Sequence, residues 1–445
     1  MSRPSAVGVC SRMGFPVRLI VLAVTAMAVA APLAACHGGS GASTPASVRS
    51  EPPVTVAAAT PVVVLQPWGE MQDAGALLAL EDVLDRRYGH RVTLQNPVVR
   101  SGVWEASRSF PADGFALGRH GGPDDPADDA AAGEVRDLTD LYDELGLAKV
   151  WPGGLFDALA TDGRLYQLPL DVDRTNLLWS SRPVLRSAGL DPDVTYTSVE
   201  EWIAALRAVR AAGEEPLALG TTTEQATLLE NLLVADLGAE GCRGLWDGST
   251  DWSGPGVTRA LEQFRTITGI ADLPREKDAG ADAGAVVDDK AAFAVADDSL
   301  AALATMVDGT VRGMVGTEVD VRRQVMPGTA GTFVFAADTY AWDARSTHED
   351  GARAWFETVS SVEGQTAVTT RRGGIPVRTD VDPVPFDDDT RAELADWRED
   401  ALVASAAGYT ATPAAGAFTK AAGRLARGLL MPQELQSRMT EAVAR

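Results

Sequence analysis

Pro61-Val62-Val63-Val64-Leu65, the loop Gln66-Pro67-Trp68-Gly69-Glu70, the run from Ala74 to Tyr88 and then Arg91-Val92-Thr93-Leu94 together decide the fold class. The first is a continuous apolar run, the pattern of a strand buried on both faces. Proline and glycine break it. Leu77, Leu78, Leu80, Val83 and Leu84 then fall on one helical stripe, with Arg86 and Arg87 in the last turn, where the helix dipole favours cations. Arg91 to Leu94 completes a strand–helix–strand unit, which predicts an open α/β sheet. No repeat at solenoid spacing interrupts the pattern.

Further along, Gly121 to Gly133 is rich in Asp, Ala and Pro and reads as a loop. Asp137-Leu138-Thr139-Asp140-Leu141-Tyr142 begins a helix, and Arg164 to Leu170 reads as a short strand. At Thr197-Ser198-Val199-Glu200-Glu201-Trp202 a helix starts, with Thr197 or Ser198 as cap and acids in the first turn. Arg275 to Asp289 lacks a long apolar face and is read as a surface excursion or a crossing between lobes.

The N-terminal residues set the compartment. Arg3, Arg12 and Arg18 precede an uncharged, mostly apolar run from Leu19 to Ala35, short for a membrane span and rich in small residues at its end. It closes on Leu33-Ala34-Ala35-Cys36, which looks like the lipobox of bacterial lipoproteins. The expected order is a signal peptide over 1–35, a lipidated Cys36 with a Gly/Ser/Pro tether over 36–60, and a folded domain over 61–445. About 385 residues then remain for the fold, enough for two packed lobes. With Cys10 removed and Cys36 lipidated, Cys242 has no partner and no disulfide framework is expected. A formal charge of −23 argues against nucleic acid and against a polybasic membrane patch. The four histidines (37, 90, 120 and 348) are scattered and predict no metal site. No cofactor motif is present.

Several segments in order carry a family likeness. Asp137-Leu138-Thr139, then Gly163-Arg164-Leu165-Tyr166-Gln167-Leu168-Pro169-Leu170, then Asn176-Leu177-Leu178-Trp179 make one group. Ser187-Ala188-Gly189-Leu190-Asp191-Pro192, Met326-Pro327-Gly328-Thr329 with Asp338-Thr339, and Arg371 to Arg378 make another. Together they resemble family 1 extracellular solute-binding proteins of sugar-type ABC transporters, nearest the glucose- and mannose-binding branch. The resemblance implies a two-lobed α/β fold of the type II periplasmic-binding-protein kind, with a ligand cleft between lobes. It also implies a division into one lobe over about 61–170 and 290–345 and another over about 171–289 and 346–445.

Sugar sites pair flat aromatic faces with carboxylates, amides or bases that bond hydroxyls. The family positions then point to Trp68 and Glu70 in the first strand–loop turn, and to His120 in a glycine-rich loop. They point also to Asp171 and Asp173 after Pro169, to Glu224, Asp297 and Asp338, and to Arg372 where a lysine is usual. Plain alternatives stand beside these: Trp68 packed on its own lobe, His120 as a solvated loop residue, one of Asp171 and Asp173 as a turn acid. Glu224 with Thr221 could equally be a capping box opening a helix. Thr223 and Asp298 occupy positions where the family carries tryptophans.

The implied function is a non-enzymatic, lipid-anchored receptor on the extracytoplasmic face of the cell membrane. It would be a monomer that takes a mono- or oligosaccharide and hands it to an ABC permease. The alternative keeps the fold and replaces transport by sensing, partner binding or a non-sugar solute. Adjacent carboxylates such as Asp297 and Asp298 point in different directions and do not suit a glycosidase pair.

Overall fold

A computed structural model describes residues 60–65, 71–89, 92–95, 112–116, 133–273, 280–307, 319–406 and 413–444. All of them lie in the compact unit Ala57–Arg445; the unit Met1–Val56, with Cys36, lies outside the described residues. So do residues 121–132 of the loop expected over 121–133.

The opening strand–helix–strand unit forms as the apolar pattern predicts. Strand β1 (Thr60–Leu65) pairs in parallel with β2 (Val92–Gln95) and β3 (Gly114–Ala116), and the helix Met71–Tyr88 connects the first two. Leu77, Leu80, Val83 and Leu84 are buried, while Leu78 is 65% exposed and belongs off the stripe. The strand expected over 164–170 runs later, as β4 (Leu168–Arg174). Two residues, Thr175 and Asn176, separate it from β5 (Leu177–Ser181). Ser198 caps the helix Val199–Ala211 in a capping box with Glu201, as its sequence suggests.

Two sheets result. The larger has seven strands in the order β10-β4-β9-β3-β1-β2, with β11 beside β9. Here β9 is Thr332–Trp342, β10 is Ile375–Pro376 and β11 is Ala401–Ala404. The smaller has the order β6-β7-β5-β8, from β6 (Leu217–Ala218), β7 (Phe293–Ala296) and β8 (Val321–Val325). Separate cores pack on them. Trp355, Phe356, Trp397 and Phe333 belong to the larger-sheet core. Trp202, Phe264, Phe293 and Phe418 belong to the smaller-sheet core.

Each sheet takes discontinuous chain, but the boundaries differ from the expected lobe division. Residues 293–325, expected with the first lobe, supply β7 and β8 to the smaller sheet. Residues 349–404, expected with the second, pack their helices and β11 on the larger. A short apolar strand such as Phe-Ala-Val-Ala fits either sheet, so its partner cannot be read from its own residues. The segment over 280–289 also does more than skirt the surface: its helix Gly284–Val287 buries Ala285, Val286 and Val287.

Where the chain leaves one sheet for the other, its ladder hydrogen bonds stop and backbone groups must find other partners. Asn176 supplies them. Its amide donates to Thr329 Oγ1 (2.8 Å) and to Thr332 O (2.9 Å), and its Oδ1 accepts from Val334 N (3.2 Å) and Arg174 Nε (3.0 Å). The outgoing crossing at 175–176 is thereby tied to the returning one at 326–331. Asn231 donates to Thr175 O (3.1 Å), and Glu230 accepts from Ser405 Oγ and Ala406 N, both at 2.6 Å.

Asn176→Ala should therefore destabilise the protein by about 2–4 kcal/mol, since the buried donors Val334 N and Arg174 Nε lose an acceptor and cannot reach water. Urea denaturation should show a lower midpoint. A midpoint within error of the parent would show that the crossings do not depend on this side chain.

Candidate functional site

β4 reads Leu-Pro-Leu-Asp-Val-Asp-Arg, and the two-residue strand period sorts it. Leu168, Leu170 and Val172 join the larger-sheet core, which leaves Asp171 and Asp173 on the opposite face. A register shift between Pro169 and Asp171 sets Asp171 directly across from Asp338 of β9. Two buried like charges in one cross-strand pair repel, and the pair needs a cation.

Arg372 provides it from the last turn of the helix Val362–Arg372. Its Nη1 donates to Asp171 Oδ2 at 2.8 Å and also pairs with Asp338 Oδ2. The guanidinium is mostly buried, with 14% of the side chain exposed. The helix ends immediately, on Gly373 (φ 88°) and Gly374 (φ 74°), both in the left-handed region that favours glycine. Space demands glycine as well. A Cβ on Gly374 would come within 2.9 Å of both Asp173 Oδ1 and Val172 O, and one on Gly373 within 3.1 Å of Asp298 O. The two glycines thus fold the Arg372 end against the carboxylates, and β10 then pairs with β4.

The smaller lobe brings Asp297 and Asp298, from the turn between β7 and the helix Ser299–Val307. Asp297 accepts from Ser299 N (3.0 Å) and from Ser299 Oγ. Carboxylate oxygens of Asp171, Asp173 and Asp338 lie within 4.8 Å of one another, as do those of Asp173, Asp297 and Asp298. Asp173 is common to both sets. Acids from the larger sheet and from the smaller therefore meet at one place.

Beside them a cavity of ≈ 630 Å³ lies between the lobes. Gly373, Gly374, Phe386 and Thr390 line it from the larger-sheet side, and Arg323 and Ala301 from the smaller. Such a volume suits a small ligand. Carboxylates that accept, arginines that donate and an aromatic ring at the edge can bond hydroxyls and cover one apolar face.

Among the expected residues, the structure gathers Asp171, Asp173, Asp297, Asp338 and Arg372. Trp68, Glu70 and His120 lie outside the described residues. Glu224 belongs to neither carboxylate set. It closes a capping box with Thr221 at the start of the helix Thr222–Asp247, and it also accepts from Ala283 N at 2.8 Å. Burial raises its pKa, against the lowering effect of those hydrogen bonds.

Arg323, which lines the cavity, and its partner Glu393 are not legible from local sequence. Arg323 sits in β8 with its guanidinium over the Trp179 ring (5.6 Å to the centroid) and its Nε 3.3 Å from Glu393 Oε1. The one available signal is that Glu393 stands four residues before buried Trp397, on the same face of the helix Asp388–Glu399.

Residues 103–366 match the sequence profile of the family described as bacterial extracellular solute-binding protein. An uncharacterized ABC transporter extracellular-binding protein of Pyrococcus horikoshii is 23% identical over 259 residues, 58% of this chain and 56% of that one. A probable sugar-binding periplasmic protein of Rhizobium meliloti is 27% identical over 272 residues, 59% of this chain and 62% of that one. The chain thus matches somewhat more than half the length of these relatives. Among solved structures, a chitin oligosaccharide binding protein superposes with a TM-score of 0.70 at 19% identity, covering 87% of this chain and 100% of that one. That likeness bears on the fold, which is two-lobed and α/β.

Removing the Arg372 guanidinium strands two buried carboxylates on neighbouring strands. Arg372→Met should cost about 3–5 kcal/mol at neutral pH, by the usual penalty for breaking a buried pair. The loss should shrink in acid, where the stranded carboxylates can take up protons. Chemical denaturation at both pH values checks this, and an equal loss at both would remove the electrostatic explanation.

Proposed function

Because the chain belongs to the bacterial extracellular solute-binding protein family, whose members are receptors rather than enzymes, we propose that it captures a small carbohydrate for an ABC permease. The observation that carries this reading is the meeting of Asp171, Asp173 and Asp338 from the larger sheet with Asp297 from the smaller, beside an interlobe cavity. Groups from both lobes on one ligand make closure favourable only when the ligand is present. A permease can read that difference.

Several features support a sugar. A relative is named as sugar-binding and a structural neighbour as chitin oligosaccharide binding. In the cleft, Asp171 and Asp338 are already neutralised in part by Arg372, so hydroxyl groups can be bonded without importing a full charge. Trp68 is assigned as a stacking face, with His120 and Glu70 as further contacts. Glu224 would act from the cleft rim through the capped start of its helix.

The receptor is further proposed to be a monomer held to the membrane through a lipid on Cys36, with 36–60 as tether. Among the described residues no helix is long and apolar enough to cross a membrane. Mass spectrometry of membrane-extracted protein should find a mature chain starting at diacylated Cys36. Cleavage elsewhere, or an unmodified Cys36, would refute the anchor.

A thermal-shift screen of neutral mono- and oligosaccharides should raise the melting point with at least one of them, since ligands bound only by the native state stabilise it. With that sugar, calorimetry should show Trp68→Ala weakening binding by about 1–3 kcal/mol, the range of a buried aromatic anchor. Asp338→Asn should weaken it too, by about 1–2 kcal/mol, through loss of a charged acceptor. If no sugar binds, or both variants keep the parent affinity, this reading of the cleft is wrong.

A further inference from the structure

Arg323 stands in the middle of β8, directly across from Trp179 of β5 in the smaller sheet. Its guanidinium lies over that ring and reaches out of the lobe that carries it. On the far side is the helix Asp388–Glu399, built into the larger-sheet core through Leu394 and Trp397. There Arg323 Nε faces Glu393 Oε1 at 3.3 Å and Asp389 Oδ2 at 3.7 Å, and Nη2 donates to Thr390 Oγ1 at 3.3 Å. The Arg323 and Glu393 side chains are each only 7% exposed.

A guanidinium carries its N–H donors in a rigid fork. Here Nη2 is spent on Thr390 and Nε on the carboxylates, while Nη1 makes no hydrogen bond among the described residues. A side chain enclosed to this degree satisfies its donors either within the fold or in the cavity it lines. Arg323 lines the interlobe cavity with Ala301, Gly373, Phe386 and Thr390. The Nη1 donors are thus left for what the cavity takes in. The fork is also held in place, by the Trp179 ring on one face and by Thr390 and Glu393 at its edge, so little side-chain freedom remains to be lost on binding.

The surrounding charges decide which acceptor fits. Glu393 and Asp389 already set two carboxylates against this one guanidinium. Asp387, an acid of the cavity lining, accepts from Thr390 N at 2.7 Å. Arg371, the other cation of the lining, is exposed and turned to its own helix, with Nη1 donating to Ala367 O at 2.9 Å. A carboxylate or phosphate on the solute would be one more acid around a cation whose charge is already met, and its desolvation would go uncompensated. A hydroxyl, ring or amide-carbonyl oxygen accepts the N–H and brings no charge.

From this geometry we infer that Arg323 is a solute-binding and specificity-determining residue, donating from Nη1 to an uncharged oxygen of a sugar, with Glu393 and Asp389 turning the site against acidic sugars. The inference rests on the carbohydrate reading above and adds to it a residue and a selectivity. The groups that hold Arg323 in place belong to the larger lobe, so a solute bonded to Nη1 is joined to both lobes through one side chain.

The test is calorimetry on the full-length protein with D-glucose, D-galactose, maltose and N,N′-diacetylchitobiose, each beside its uronic or aldonic acid counterpart. The parent should bind at least one neutral sugar, and bind it at least about tenfold more tightly than the acid, the cost of roughly one uncompensated charge contact. Arg323→Lys keeps a cation beside Glu393 but loses the fork, and should weaken the neutral sugar by about tenfold to a hundredfold, the range of a hydrogen bond from a charged donor. Arg323→Met should weaken it at least as much; if that variant does not fold, Arg323→Lys carries the test. Glu393→Gln removes one of the two opposing charges and should narrow the preference for the neutral form by about tenfold, a ratio that a general loss of stability would not move. Parental affinity in folded Arg323→Lys, a parent that prefers the acid, or an unchanged preference in Glu393→Gln overturns the assignment and leaves the carbohydrate reading standing. If none of these sugars binds, both fall together.

Discussion

The architecture depends on a buried amide. A chain that passes between two sheets has to abandon hydrogen bonds in one ladder before it can make them in the next, and in a protein interior those groups have no water to turn to. Asn176 sits at that point with two donors and an acceptor, all directed at the returning strand or at Arg174. Arg174 is itself buried, its guanidinium 4.6 Å over the Phe333 ring and paired to Asp396. This knot fixes the end of β4, and the fixed end of β4 fixes Asp173 and Asp171, one and three residues before Arg174. The placing of the carboxylate cluster therefore depends on the crossing.

A cluster of buried acids has an electrostatic cost, and the larger lobe meets it with Arg372. Arg372 lies 201 positions from Asp171 in sequence, yet it bridges Asp171 and Asp338 because the helix that carries it ends on two glycines. Arg323 does a comparable task from the smaller lobe, against Glu393 and Asp389. The two arginines differ in what they connect. Arg372 joins elements of one lobe and stabilises it at every stage of opening, whereas Arg323 joins the lobes and can do so only while they stay together.

Much of the fold was legible from local rules. The apolar run of β1, the helix after it and the Ser198–Glu201 capping box each follow from a period or a pair of side chains within one turn. The likeness of Asp171 and Asp173 in facing one way follows from their spacing of two. What local rules could not supply was the partner of each strand: Phe293–Ala296 pairs with β5 and β6, against the expected lobe division. The pairing of Asp171 with Asp338 was equally out of reach, because it depends on a register shift at Pro169 that no periodicity announces. Glu224 shows how one local motif can serve two readings. Its capping geometry with Thr221 is present, and the same carboxylate also reaches Ala283 on another element.

The two positions where the family resemblance implies tryptophans have different physical consequences. Thr223 is exposed in the first turn of a helix whose cap is Thr221, so the change there leaves a short polar side chain and nothing that needs repartnering. Asp298 is buried, and burial obliges an acid to find a partner. Its carboxylate stands close to those of Asp173 and Asp297. A ring at that position would have offered a ligand an apolar face, whereas an acid engages the protein itself. An acid in place of a ring therefore adds to the charge that gathers where the two sheets meet, and takes an apolar face away from it.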